Sequence, residues 1–218
     1  MISLFRPLES GEQIVIGADP AEGGDNSVFV AISKVYTDVV MVGVSKEESS
    51  QLGYTLNHVG KFIQTQTNLF PIIAVERNTG NSTLFVLKQN NYPALYKMPK
   101  TFTGVHDEDQ EQYGWVTNMA TRPKMLDDLA LAIRQEAIKI PSKEIVDELF
   151  TFIRHIKTGK PQADVGCHDD LVIALAIAWQ VYQTQTPIYE AENQMYFGGN
   201  YYDINSKAKM KWQRRGLE

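Results

Sequence analysis

The 218-residue chain reads as an α/β protein, with a mixed β-sheet that opens in an antiparallel three-stranded meander and carries flanking helices. Three observations predict this. Two apolar runs rich in β-branched residues lie on either side of a Gly-rich turn, and a third follows a tight turn at Tyr36, Thr37 and Asp38. Helical spacing then replaces the period of two, with apolar Leu52, Leu56, Val59 and Ile63. A buried-type apolar run from Phe70 to Val75 returns after that helix, and the strand, helix, strand unit that runs from it to a short strand at 95–98 implies parallel pairing.

Residues 1–12 read as a connector, because Pro7, Ser10 and Gly11 break any periodicity. Strands are expected over about 13–19, 27–35 and 39–44. Ser49 or Ser50 caps the first helix, which ends near Asn68. After the strand at 70–76 and a turn over 77–82, a short helix bears Leu84, Phe85, Val86 and Leu87 and leads to a short strand at 95–98. Residues 99–118 have no periodicity and several acids, as in a surface loop.

Thr121 followed by Pro123 signals a helix with Met125, Leu129, Ile133 and Ala137 on its apolar stripe. A short strand is expected at 138–140. Ser142 then caps a helix that places Glu144 in its first turn and Ile145, Leu149, Phe152 and Ile156 on its inner face. His168, Asp169 and Asp170 open the last helix, whose apolar residues are Leu171, Val172, Leu175, Ala178, Trp179 and Tyr182. Beyond Thr186 the chain turns polar and aromatic and then basic, through Lys207, Lys209, Lys211, Arg214 and Arg215. The expected organisation is a connector at 1–12, one domain at 13–186 and a tail at 187–218.

A hydrophobic fraction of 43% and a charged fraction of 22% are those of an ordinary globular protein, which excludes wholesale disorder. No apolar run reaches the roughly 18 residues that a membrane span needs, so no membrane association is expected and the cytoplasm is the expected compartment. The single cysteine, Cys167, has no intramolecular disulfide partner, and no Cys/His cluster has zinc spacing. A net charge of -5 argues against a surface that binds nucleic acid all over, yet leaves room for local basic patches.

Chemistry concentrates at three acidic ends. Asp19 ends the first strand, and no Lys or Arg lies between Arg6 and Lys34 to neutralise it. An ionised carboxylate beside a buried strand is costly unless something positive balances it, and a metal ion is the natural candidate. Glu76 ends a second strand in the same way, and Asp169 and Asp170 stand at a helix start. Carboxylates converging from separate elements suit hard divalent cations such as Mg²⁺ or Mn²⁺. In a two-ion site, with ions roughly 3.5–4 Å apart, one ion activates a water and the other stabilises the leaving oxygen of a phosphodiester. Taken singly, each acid is more simply a turn former, and Asp169 or Asp170 an N-cap. The three meet only if the sheet order sets the first strand beside that of Glu76.

Four blocks in this order carry a resemblance. Asp19-Pro20-Ala21-Glu22-Gly23-Gly24-Asp25, Glu76-Arg77-Asn78-Thr79-Gly80, Gly114-Trp115-Val116-Thr117 with Arg122-Pro123-Lys124, and His168-Asp169-Asp170-Leu171-Val172 resemble the nuclease domain of the large terminase subunit of tailed bacteriophages. The arrangement is that of the ribonuclease H-like superfamily, and the resemblance spans about residues 14–182. It implies a metal-dependent endonuclease that cuts concatemeric double-stranded viral DNA during genome packaging. Asp19, Glu76 and Asp170 would be catalytic metal ligands, with Asp169 and Asp25 as supporting or alternative ligands and Mg²⁺ or Mn²⁺ as a two-ion cofactor. His168 would support a carboxylate or shuttle a proton. The implied partners are double-stranded DNA, the terminase ATPase domain, the small subunit and, through the C-terminal region, the portal protein. The implied location is a packaging complex in the host cytoplasm.

Asn78 and Thr79 are candidates to hold a phosphate at a helix start, against simple capping. Arg122 and Lys124 are candidates for the DNA backbone, against a solvated surface role. Trp115 is expected in the core. No Gly-x-x-x-x-Gly-Lys-Ser/Thr motif is present, so the chain is expected to be a nuclease domain of a longer protein rather than its motor. Two rivals remain. An actin-like or sugar-kinase-like ATPase shares the sheet order but needs a second half, for which 218 residues leave little room. A ribonuclease H-like docking module without activity would have no reason to hold like charges together.

Overall fold

Alternation along the strands sorts the sheet's side chains into two cores. On β2 (Ile14–Asp19), Ile14, Ile16 and Ala18 enter one core, while Val15 enters the other. On β3 (Ser27–Ser33), Phe29 and Ala31 join the first, while Val28, Val30 and Ile32 join the second. A sheet buried on both faces needs helices on both sides, and the chain supplies them. The computed structural model describes residues 1–21, 26–99, 113–154, 161–164, 166–183, 194–197 and 200–203.

The chain divides into two units, Met1–Pro187 and Ile188–Glu218. In the first, five strands stand in the order β1-β4-β3-β2-β5, with β1 at Ile2–Leu4, β4 at Val39–Ser45 and β5 at Ile72–Val75. Only β2 and β5 pair in parallel; the other neighbours are antiparallel. The mixed sheet is thus the antiparallel meander expected for a ribonuclease H-like domain, extended by a parallel strand.

Helices α1 (Ser49–Thr67) and α2 (Asn81–Gln89) cover one face, through Leu52, Leu56, Ile63, Leu84 and Leu87. On the other face lie α3 (Thr121–Arg134), α4 (Lys143–Thr151) and α5 (Asp170–Gln183). Helix α5 is buried without a break from Leu171 to Val181, as befits a helix apolar all round and enclosed by sheet and neighbouring helices. Gly17 makes its seat. A Cβ there would run into the backbone of Ala174 and Ala178, so α5 rests directly on β2.

Several details differ from expectation. Residues 2–4, expected within a connector, form the edge strand β1, and Arg6 behind it bonds both Glu12 and Asp38. The stretch expected as a strand at 95–98 makes isolated bridges, Ile73 with Leu95 and Lys97 with Tyr113 and Gly114, because each contact is a single rung. The strand expected at 138–140 is likewise one bridge, Asp38 with Lys139. Part of the expected loop, Tyr113 to Trp115, lies against the sheet edge. Trp115 bridges Glu76 and is buried, and Gly114 takes φ +84° where a side chain would strike the Val75 carbonyl. Residues 100–112 lie outside the described residues.

Ser142 caps α4 as expected, its Oγ accepting from the Ile145 N–H. That helix stops at Thr151, whereas the expected stripe continued to Ile156. Phe152 and Ile153 instead pair with Ala163 and Gln162, in a hairpin of β6 (Phe152–Arg154) and β7 (Pro161–Ala163). Periodicity cannot separate a helix end from a strand over so few residues. Ile156 lies outside the described residues. Glu48, and neither Ser49 nor Ser50, is the N-cap of α1; the Ser49 hydroxyl meets Thr83 and the Thr79 carbonyl instead. In the second unit, β8 (Gln194–Phe197) and β9 (Asn200–Asp203) form an antiparallel hairpin within the stretch expected as a tail. The basic run from Lys207 to Arg215 lies outside the described residues. No helix among the described residues is long and apolar enough to cross a membrane.

Candidate metal centre

Strand alternation and register together place the first two acids. Val15 lies on the α5 side of β2, so Gly17 and Asp19 follow on that face; Ile72 and Ala74 set the same phase for Glu76 beyond β5. Ala18 stands beside Val75, and the Glu76 N–H donates to the Ala18 carbonyl at 2.8 Å. Asp19 and Glu76 therefore sit side by side at the carboxyl ends of adjacent parallel strands, where open α/β sheets present their crevice.

Their side chains are close enough for Glu76 to act on the Asp19 carboxyl through its charge and as a side-chain partner. Burial, then the charges of Glu76, Asp170 and Asp169, drive the Asp19 carboxyl well above the usual range. Glu76 is only 8% exposed, and the Thr79 hydroxyl donates to its Oε2 at 3.2 Å. Two ionised carboxylates about 4 Å apart repel by roughly 4 kcal/mol at an effective dielectric near 20. A shared proton or a cation must offset that.

Helix α5 brings the remaining acids. The Asp169 carbonyl accepts the Ile173 N–H at 2.9 Å, which makes Asp169 the residue at the N-cap position. An Asp there ordinarily turns its carboxylate back onto the first N–H groups. Here Glu148 of α4 holds that place: its Oε2 accepts from the N–H of Leu171 at 2.9 Å and of Val172 at 3.2 Å. The Asp169 carboxylate instead receives Arg122 Nη2 at 3.1 Å. Asp170, the first residue of α5, lies within electrostatic reach of both Asp19 and Glu148. Burial pushes the Glu148 carboxyl up to about 7; the Val172 and Leu171 N–H groups act against the rise, and Asp170 and Asp169 add to it.

The expected site residues thus divide by their relation to this cluster. Asp19, Glu76, Asp169 and Asp170 come together. His168 Nδ1 lies 3.7 Å from Asp170 Oδ2, near the cluster but beyond hydrogen-bond length, on a largely exposed ring. Thr79 and Arg122 are bound to acids of the cluster, while Asn78 donates to the Thr117 carbonyl at 2.7 Å and Lys124 pairs with Asp128. Asp25 lies outside the described residues. Glu148 carried no signal in the sequence, because its partners are backbone groups 23 and 24 residues away.

The donor set fits a hard divalent cation, being all carboxylate oxygen and held together against its own repulsion. Among the described residues, no three His, Cys, Asp or Glu side chains close into a ready-made ligand cage. Positive charge enters through the Asp19 proton and through Arg122.

No family model and no curated protein matches the chain. Solved structures do. The large terminase nuclease from thermophilic phage G20c with bound magnesium aligns at TM-score 0.61 and 16% identity, covering 82% of this chain and 86% of that one. The large terminase nuclease domain of Thermus phage P74-26 aligns at 0.62 and 18%, covering 85% and 87%. The human cytomegalovirus terminase nuclease domain, manganese-soaked with inhibitor bound, aligns at 0.52 and 16%, covering 78% and 83%. The chain has the fold of large-terminase nuclease domains.

Proposed function

We propose that this chain is the nuclease module of a phage large terminase, an endonuclease that cuts concatemeric double-stranded DNA during genome packaging and depends on Mg²⁺ or Mn²⁺. The observation that carries the reading is the convergence of Asp19 and Glu76, on adjacent strand tips, with Asp169 and Asp170 at the start of α5. Support for the metals comes from the solved relatives, one with magnesium bound and one soaked in manganese.

In this reading Asp19, Glu76 and Asp170 hold two divalent ions, with Asp169 in support and Asp25 nearby in sequence. Bound there, the ions supply an activated water and stabilise the charge that develops on the phosphate and the leaving oxygen. The chain's own residues do the positioning. Thr79 fixes the rotamer of Glu76, Arg122 holds Asp169, and His168 is available for a proton at the exposed rim. Asn78 and Lys124 lie exposed, as contacts to phosphate require.

The module is the unit Met1–Pro187, since β1 belongs to its sheet, and the segment expected as a tail follows it. Its partners are the terminase ATPase domain, the small subunit and, through the C-terminal region, the portal protein, all in the host cytoplasm. The purified chain should nick and linearise plasmid DNA with Mn²⁺ or Mg²⁺, with little sequence preference and not with EDTA. Asp19→Asn and Glu76→Gln should each lower the rate by at least about 10²-fold, as loss of a group stabilising transition-state charge does. Plasmid left intact at saturating metal, with both variants indistinguishable from the parent, would contradict the reading.

A further inference from the structure

The start of α5 is built in an unusual way. Its N-cap residue is an aspartate, the residue type best suited to bond the exposed N–H groups of the first turn, yet its carboxylate is turned to Arg122. The N–H groups of Leu171 and Val172 are taken by Glu148, a half-buried side chain from a different helix. Helix α4 is itself fixed at its own start by Ser142, whose hydroxyl accepts from the buried Ile145 N–H. A rigid chain of contacts therefore runs from the Ser142 cap through α4 and Glu148 to the two residues that directly follow Asp170.

We propose that Glu148 is a positioning residue: by capping α5 in place of Asp169, it sets Asp170 against Asp19 and Glu76 and leaves Asp169 to be held by Arg122. This rests on the reading of the acids as a metal centre. The geometry separates the roles of the five acids. Glu148 is committed to two backbone N–H groups and Asp169 to a guanidinium, whereas Asp19, Glu76 and Asp170 form the group through which a cation would be held. A direct ligand would need its oxygens pointed at the cation; Glu148 has one of them engaged twice by backbone. Without the cap, Asp169 would be drawn back onto the first turn, as N-cap aspartates ordinarily are, and the approach of Asp170 to the strand tips would loosen.

The test compares Glu148→Ala with Glu148→Gln, whose amide oxygen still accepts from N–H groups, in the full chain. Two quantities are read: Mn²⁺ affinity by titration calorimetry, and amide hydrogen exchange at Leu171 and Val172 without metal. Glu148→Ala should weaken Mn²⁺ binding by about tenfold or more, the usual effect of losing a group that orients a ligand, and should expose both amides. Glu148→Gln should keep both properties near those of the parent. Should Glu148→Ala fail to fold, Glu148→Met preserves the shape without the acceptor and stands in its place. The proposal is overturned if the Ala variant binds Mn²⁺ like the parent. It is also overturned if the Gln variant binds as poorly as Ala, since charge rather than capping would then be the contribution. If the parent itself binds no Mn²⁺, the nuclease reading fails. The exchange data then decide alone: protection lost in Ala and kept in Gln upholds the brace, and equal exchange in all three removes it.

Discussion

Asp19 is the residue at which the competing forces are most exposed. It lies beside Glu76, and both burial and the three surrounding acids raise its affinity for a proton. The sign of the consequence follows directly. The folded chain holds this proton more tightly than the unfolded chain, whose Asp titrates near the ordinary 3.8, so folding binds protons and metal-free stability declines as pH rises above that value. Asp19→Asn keeps the shape and removes both the charge and its titration. In urea melts between roughly pH 5 and pH 8 without metal, the variant should show a flatter stability profile than the parent and gain on it toward the alkaline end. Parallel profiles would mean that the Asp19–Glu76 contact carries no strain. That Asp19 and Glu76 belong to the site was legible in the sequence, since each ends an apolar, β-branched run, and Asp19 has no Lys or Arg between Arg6 and Lys34 to neutralise it. Their mutual contact was not, because it depends on a pairing of residues 57 positions apart that only the parallel register brings about.

At the scale of elements, α5 is what turns two strand tips into a cluster, and Gly17 decides how close it comes. Gly17→Ala puts a methyl group into the backbone of Ala174 and Ala178, where nothing flexible can yield. Overpacking of this kind costs about 1–3 kcal/mol, and the displaced helix should also weaken Mn²⁺ binding. A urea midpoint and a metal titration on the same variant check both. A substitution that lowers stability while leaving the titration unchanged would show that the seat of α5 does not govern the acids. Ser142→Ala tests a different element. Loss of this buried cap should cost about 1 kcal/mol in the same urea melt. The start of α3, the cap of α4 and the apolar run of α5 were legible because they are local: Thr121 with Pro123, Ser142, and the residues from Leu171. The cap on α5 was misjudged for the opposite reason. Asp169 has the right chemistry in the right place, and only the tertiary arrival of Glu148 redirects it. Strand β1 and the bridge at Trp115 escaped notice because one to three residues carry no period, whereas the pairing at Leu95 and Lys97 falls where a short strand was expected.

For the whole molecule, the order β1-β4-β3-β2-β5 is the feature on which everything turns, since it makes β2 and β5 neighbours and parallel. The alternation of periods made the elements readable, but the adjacency of β2 and β5 was only a condition there, since β3, β4 and α1 intervene in the chain. A cluster of acids held together by such a sheet is a metastable arrangement without cations. Any ion that binds the folded chain and not the unfolded one should raise the melting temperature in proportion to ln(1 + [L]/Kd), with about 2.7 kcal/mol gained at a hundredfold excess over Kd. Mn²⁺ should therefore produce a thermal shift in the parent that Asp19→Asn abolishes, and an unchanged shift in that variant would locate the ion elsewhere. The most direct measurement is a crystal structure of the chain grown with Mn²⁺ and recorded at a wavelength where manganese scatters anomalously. The account predicts anomalous peaks among the carboxylates of Asp19, Glu76 and Asp170, with Glu148 still on the backbone of α5. Anomalous density confined to other parts of the surface, with Asp19 and Glu76 still in contact with one another at saturating Mn²⁺, would contradict it.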